Sequence, residues 1–203
     1  MRELGVFPLG IVLLPGERAP LHIFEERYKE MIGESLQTGD EFAVVFADDE
    51  GVRSVGTTAA VAEVLQRFPD GRMDVVVEGR DRIHIERLTG GRSFITAEVV
   101  AVPDQFDEPP PSDVDACLHA YADVAEAAGA TAEDFDPDDP NLSLTIAGTV
   151  ALGAELKQEL LEVTSERDRL QRLTAILAAA AEGVRRAHEA ERRSAGNGLV
   201  EGL

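Results

Sequence analysis

Apolar residues change their spacing once along the chain, from short runs and strict alternation to recurrence every three or four positions. Gly10–Leu14 is a short apolar run stopped by Pro15-Gly16, a strong turn signal. Glu41–Phe46 is a second run, closed by the turn Asp48-Asp49-Glu50-Gly51. Val55–Phe68 is rich in β-branched residues, weaker around Ala59-Ala60, and Pro69-Asp70-Gly71 turns it back into Met73–Glu78 as a hairpin. Over Arg80–Leu88, the apolar Ile83, Ile85 and Leu88 interleave with Arg82, His84 and Glu86, the pattern of a strand with one buried face. Phe94–Val102 supplies one more strand. A single helix interrupts this series from about Glu25 to Leu36. There Phe24, Tyr28, Met31, Ile32 and Leu36 share one face, and Glu25 and Glu26 oppose the positive end of the helix dipole. Short strands with Gly and Asp turns around one helix suggest a small antiparallel barrel or sandwich.

Pro103–Asp113 ends that regime, and its Pro109-Pro110-Pro111 run flanked by acids reads as an extended, solvated linker. The remainder is helical. Val114, Leu118, Tyr121 and Val124 keep helical spacing to Ala128, a polar connection runs from Gly129 to Pro140, and Leu142–Leu161 forms one or two helices broken near Gly153. Ser165 and Asp168 make a capping-box-like start to a last helix, with Leu170, Leu173, Ile176, Leu177, Ala180, Val184 and Ala187 as its stripe. Continued to about Arg193 it would span roughly 40 Å. The predicted class is α+β: a strand-rich part over 1–103, an acidic Pro-rich linker over 104–113, an α-helical bundle over 114–195 ending in a long helix, and a flexible tail over 196–203.

Charge narrows the partners. The chain has 19 Lys plus Arg against 39 Asp plus Glu, a net charge of −20, which disfavours nucleic acid. Acids concentrate at Asp104–Asp115 and Glu133–Asp139, whereas Arg185–Arg193 is basic. No stretch approaches the ~18 apolar residues of a membrane span, and the first residues lack the pattern of a signal peptide. Cys117 is the single cysteine, so neither an internal disulfide nor a Cys metal cluster is expected, and the cytoplasm is the expected compartment.

Candidate chemistry is sparse. His22 and His84 lack further ligands at metal spacing, and the carboxylates Asp48-Asp49-Glu50 and Asp134–Asp139 lack the glycine and terminal glutamate of a calcium loop. Arg80, Arg82 and His84 could face an anion, but Asp81 and Glu86 offset them. No G-x-x-x-x-G-K-[ST] loop occurs, and Lys29 and Lys157, the only lysines, sit in no Ser-Lys context, so neither catalysis nor a cofactor is expected. The basic outer end of the last helix is either a solvated end or a surface for self-association.

The opening segment carries the most specific signal: Val6-Phe7-Pro8-Leu9, Val12-Leu13-Leu14-Pro15-Gly16, then Pro20-Leu21-His22-Ile23-Phe24-Glu25-Glu26-Arg27-Tyr28. It closely resembles the start of the N-terminal domain of Lon proteases, departing at Glu26, where many relatives place proline. Val55-Gly56-Thr57, Phe68-Pro69-Asp70-Gly71-Arg72 and Gly79-Arg80-Asp81-Arg82-Ile83-His84-Ile85 resemble later family segments, as does Lys157-Gln158-Glu159-Leu160-Leu161-Glu162 followed by Arg167 and Leu170. The resemblance implies a PUA-like antiparallel β-barrel with one inserted helix, followed by an α-helical bundle. It also implies a stand-alone, non-catalytic module without the family's ATPase and peptidase, which binds unfolded or hydrophobic polypeptide or an ATP-dependent protease in quality control. Leu21, His22, Phe24 and Tyr28 are the candidate polypeptide-binding residues, set against the plainer expectation that such residues are core. A small-molecule sensor is the alternative function.

Overall fold

The structure, a computed structural model, describes residues 1–197. Six strands and five helices follow one another as β1 (Arg2–Leu9), β2 (Arg18–Ile23), α1 (Glu26–Thr38), β3 (Phe42–Asp48), β4 (Gly51–Arg67), β5 (Met73–Thr89), β6 (Thr96–Ala101), α2 (Pro111–Ala127), α3 (Leu142–Thr149), α4 (Ala154–Glu162) and α5 (Glu166–Asn197). The class is α+β, as expected. The tail expected over 196–203 lies outside the described residues from 198 on.

The chain forms two compact units. One comprises Met1–Gln105 with Leu144–Thr164, and the other Phe106–Ser143 with the chain from Ser165 on. Residues 144–164, grouped with the helical bundle in the sequence reading, therefore pack with the strands.

In the first unit the strands make one sheet in the order β2-β5-β4-β3-β1-β6, and β5 also pairs with β6. The pairings thus lead from β5 through β4, β3, β1 and β6 back to β5. The expected all-antiparallel arrangement needs correction, because β1 and β3 run parallel from Val6↔Ala43 to Leu9↔Phe46. The intervening β2 and α1 provide the long crossover that a parallel pair requires.

β3 is apolar without alternation because both of its faces are covered. Phe42 and Val44 join a core with Phe7, Leu13, Ile23, Tyr28, Met31, Ile32, Val75 and Val77, while Ala43 and Val45 join a second with Leu4, Val6, Ile83, Ala97 and Val99. The helix α1 lays Tyr28, Met31 and Ile32 on the first of these.

The two expected strands 73–78 and 80–88 are one strand, β5. Arg80-Asp81 reads as a break because the β4–β5 register shifts between Thr57↔Arg82 and Ala59↔Gly79, where β5 bulges. Gly79 accepts from Gly16 N at 2.9 Å and donates to Glu17 O at 2.9 Å, which seats the Pro15-Gly16 turn on the strand. A Cβ at Gly79 would lie 2.2 Å from the Leu14 carbonyl oxygen.

In the second unit α2 packs against α5. Pro111 occupies the first turn of α2, so the proline run opens a helix where an extended linker was expected. Asp107 accepts from the Ser165 hydroxyl, and that hydroxyl accepts from Asp168 N at 3.0 Å, capping α5 as its sequence suggests. Arg169, fully buried, donates to Glu166 Oε2 at 2.6 Å and to Ser143 Oγ at 3.0 Å. Burial pushes the Glu166 carboxyl up, opposed by donation from Ser143 and by Arg169. Burial likewise raises the Cys117 thiol to about 11.

Three outcomes follow from this packing. Gly79→Ala should destabilise the chain by about 2–3 kcal/mol in urea unfolding, since backbone rather than a side-chain tip must move aside. Cys117 should resist iodoacetamide at about pH 8 in the native chain and react on unfolding. Its raised value also means that stability falls as pH rises from the ordinary thiol range towards 11, because the unfolded chain releases a proton that the native state keeps.

Candidate functional site

The short strand β2 alternates strictly. Ala19, Leu21 and Ile23 turn toward the core, while Arg18, Pro20 and His22 face outward and are exposed. One residue on, just before α1, Phe24 is 59% exposed. The sequence-predicted residues thus divide. His22 and Phe24 come together at the surface with ring centroids 5.9 Å apart and planes at 22°. Leu21 is half-buried against the core. Tyr28 is buried, 4.2 Å from the Phe7 ring, with Arg27 over its outer face at 4.5 Å.

The structure adds Phe68, whose ring meets His22 edge-on at 6.1 Å. Only its place beside the hairpin turn hinted at this. Phe68 donates to Arg72 O and accepts from Gly71 N, and Gly71 holds φ at +84°, so the tight turn fixes where that ring stands. Asp70 accepts from the Arg72 backbone and side chain, and the first of these bonds chiefly holds its carboxyl below the usual range. The Arg72 guanidinium covers Phe68 at 5.1 Å. Lys29 donates to the Asp70 carbonyl at 3.0 Å and to Glu26 at 2.7 Å, so α1 is tied to the hairpin tip. His22 Nδ1 lies 2.5 Å from Asp74 Oδ1, which sits opposite it on β5.

What results is a supported patch of rings with a paired polar rim. It can take up apolar or aromatic side chains. Leu65, 54% exposed, lies on β4, at a register shift between Val64 and Gln66.

The basic trio considered for anions is dispersed. Arg80 pairs with Glu78 at 3.2 Å, and His84 stands 3.4 Å from Glu86. Arg82 is buried, donating to the carbonyls of Val163 at 2.7 Å and Leu161 at 3.3 Å and to the Asp104 carboxylate. Among the described residues no three His, Cys, Asp or Glu side chains converge as metal ligands, and no helix is long and apolar enough to cross a membrane.

The family model of the ATP-dependent protease La (LON) substrate-binding domain matches residues 3–179. The chain belongs to the Lon substrate-binding domain family. It is similar to Lon proteases of Rhizobium meliloti, 28% identical over 190 residues covering 85% of this chain, and of Azospirillum brasilense, 27% identical over 188 residues covering 87%. Those alignments span only 22% and 23% of the respective relatives. The fold is that of Lon N-terminal domains. A Lon N-terminal domain protein from Xanthomonas campestris superposes with a TM-score of 0.67 at 24% identity, covering 86% of this chain and 98% of its own. The N-terminal domain of the Mycobacterium avium complex Lon protease gives 0.65 at 19%, covering 87% and 98%.

Several residues behind the Lon resemblance are internal ties. Lys157 pairs with Glu17 at 2.5 Å and Gln158 donates to the Val55 carbonyl at 3.1 Å. Replacing Arg82 by alanine should cost about 1.5–3 kcal/mol in urea unfolding, since it removes a charged donor from the part-buried Asp104 carboxylate and from two carbonyls.

Proposed function

We propose that this chain is a substrate-binding module that recognises unfolded polypeptide through exposed apolar side chains and serves protein quality control beside an ATP-dependent protease. The observation that carries the proposal is Phe24, exposed and stacked on His22, on a platform that Lys29 and the hairpin turn hold in place. An exposed aromatic gains nothing for the folded monomer but recovers about 1.5–3 kcal/mol when a partner covers it. Of the four residues first considered, His22 and Phe24 make the contact with Phe68 added, and Leu21 and Tyr28 support them from the core. The ring of strand pairings fits a PUA-like barrel as the scaffold. Membership of a substrate-binding family supports the same reading, and the module works by binding rather than by catalysis.

Phe24→Ser should weaken binding to a fluorescent, permanently unfolded polypeptide about tenfold in anisotropy titrations and leave the melting temperature unchanged. Tyr28→Ala should instead lower stability by about 3–5 kcal/mol. Equal binding by wild type and Phe24→Ser would exclude the patch as the contact surface.

A further inference from the structure

Resting on the client-binding reading above, we infer that the free edge of β2 takes an extended, cationic polypeptide segment as an added strand. β2 pairs with β5 alone among the described strands. Its ladder phase shows which groups are left over. Gly79 N donates to Glu17 O, which sets the hydrogen-bonding phase of the ladder at that position, with Gly16 N rather than Glu17 N returning a bond to Gly79 O. Antiparallel pairs alternate, so Ala19, Leu21 and Ile23, opposite Val77, Val75 and Met73, also bond across to β5. The backbones of Arg18, Pro20 and His22 therefore point away from the sheet. Proline sits where it has no ladder donor to lose. The edge offers the N–H groups of Arg18 and His22 and the carbonyls of all three residues.

The shape of this edge distinguishes it from the other. β2 keeps six consecutive pairs without a register shift. The outer end of β4 shifts register between Val61 and Glu63 and again between Val64 and Gln66. Bulges of that kind twist an edge away from further pairing, and β2 has none.

Charge selects the occupant. The groups left over are backbone donors and acceptors at strand spacing, which an extended polypeptide matches. On the edge itself Arg18 pairs with Glu78 and His22 lies against Asp74, so its own charges are matched, and the chain's net charge of −20 sets the wider field, which attracts a cationic segment and repels an acidic one. Phe24 stands at the end of the same strand, so a segment paired along β2 presents a side chain to the ring patch.

The test uses the full chain and a short peptide alternating lysine with valine and phenylalanine. Binding should slow hydrogen exchange at the Arg18 and His22 amides about tenfold or more. Methylating the peptide's backbone nitrogens one at a time should weaken binding about tenfold at alternate positions only. The same peptide with glutamate for lysine should bind more weakly, and added salt should weaken the lysine peptide. Pro20→Ala, which adds a donor, should tighten binding a few-fold. If Phe24-dependent binding occurs with neither amide protection nor an alternating methylation pattern, the edge inference falls and the client-binding reading stands. Equal binding of the glutamate peptide overturns the cationic preference. Protection that grows with protein concentration in the absence of peptide means that a second copy fills the edge, which also overturns the inference. Failure to bind any unfolded chain removes both readings.

Discussion

A guanidinium keeps its proton inside a protein, so a buried arginine has to be matched by acceptors that cannot drift away. Arg82 is 6% exposed, and its acceptors come from distant parts of the chain: Asp104 just beyond β6, and the carbonyls of Leu161 and Val163 where α4 ends. The last carbonyls of a helix lack partners within it, and that end carries the negative pole of the dipole. One side chain thus answers two needs, its own and the helix's, and fixes β5, the segment after β6 and α4 together. The other end of α4 is held in the same manner. Glu17 accepts from Lys157 and also from Leu14 N at 3.0 Å, so the turn that lies over Gly79 and the helix share one carboxylate.

This use of charge leaves the surface chemistry to the aromatics. Within the strand-rich unit Arg82, Lys157 and Gln158 are buried while Phe24 and Leu65 stand in solvent. Neither choice favours the stability of an isolated chain, since buried ions pay for desolvation and exposed rings forgo burial. The buried ions specify geometry. Exposed rings gain only when something covers them, which is why the patch at Phe24 rather than the charged motif is the functional candidate.

How far the sequence revealed this depended on whether a residue's role was local. The helix α1, the hairpin at Pro69-Gly71 and the Ser165 cap were all legible, because each rests on turn chemistry or a period within a dozen residues. The parallel pairing of β1 with β3 was not, since nothing in either run records the direction of a neighbour brought in by a crossover. Arg80-Asp81 looked like a strand break because a bulge and a turn both want polar residues at that spacing. Arg82 looked like surface because its acceptors lie far along the chain, at Asp104, Leu161 and Val163, and Phe24 shares the helical spacing of Tyr28 although only Tyr28 is buried. Phe68 joined the patch through the meeting of β2 and a hairpin tip, which only the sheet order determines.

The size of the patch also constrains how it can work. Two phenylalanines recover about 3–6 kcal/mol at most when covered, and association alone costs about 4–15 kcal/mol in lost freedom. Rings by themselves would therefore hold a bound chain weakly, even with the platform stiffened by Lys29 and the Gly71 turn. Each backbone hydrogen bond that the proposed added strand makes along β2 would add about 0.5–1.5 kcal/mol, and such bonds do not depend on the partner's sequence. A site built from rings that prefer apolar side chains beside an edge that reads only backbone would bind many unrelated extended chains, none tightly. On the client-binding reading proposed above, that combination suits a module that releases what it captures, and it follows from placing an unbulged edge strand directly before an exposed Phe24.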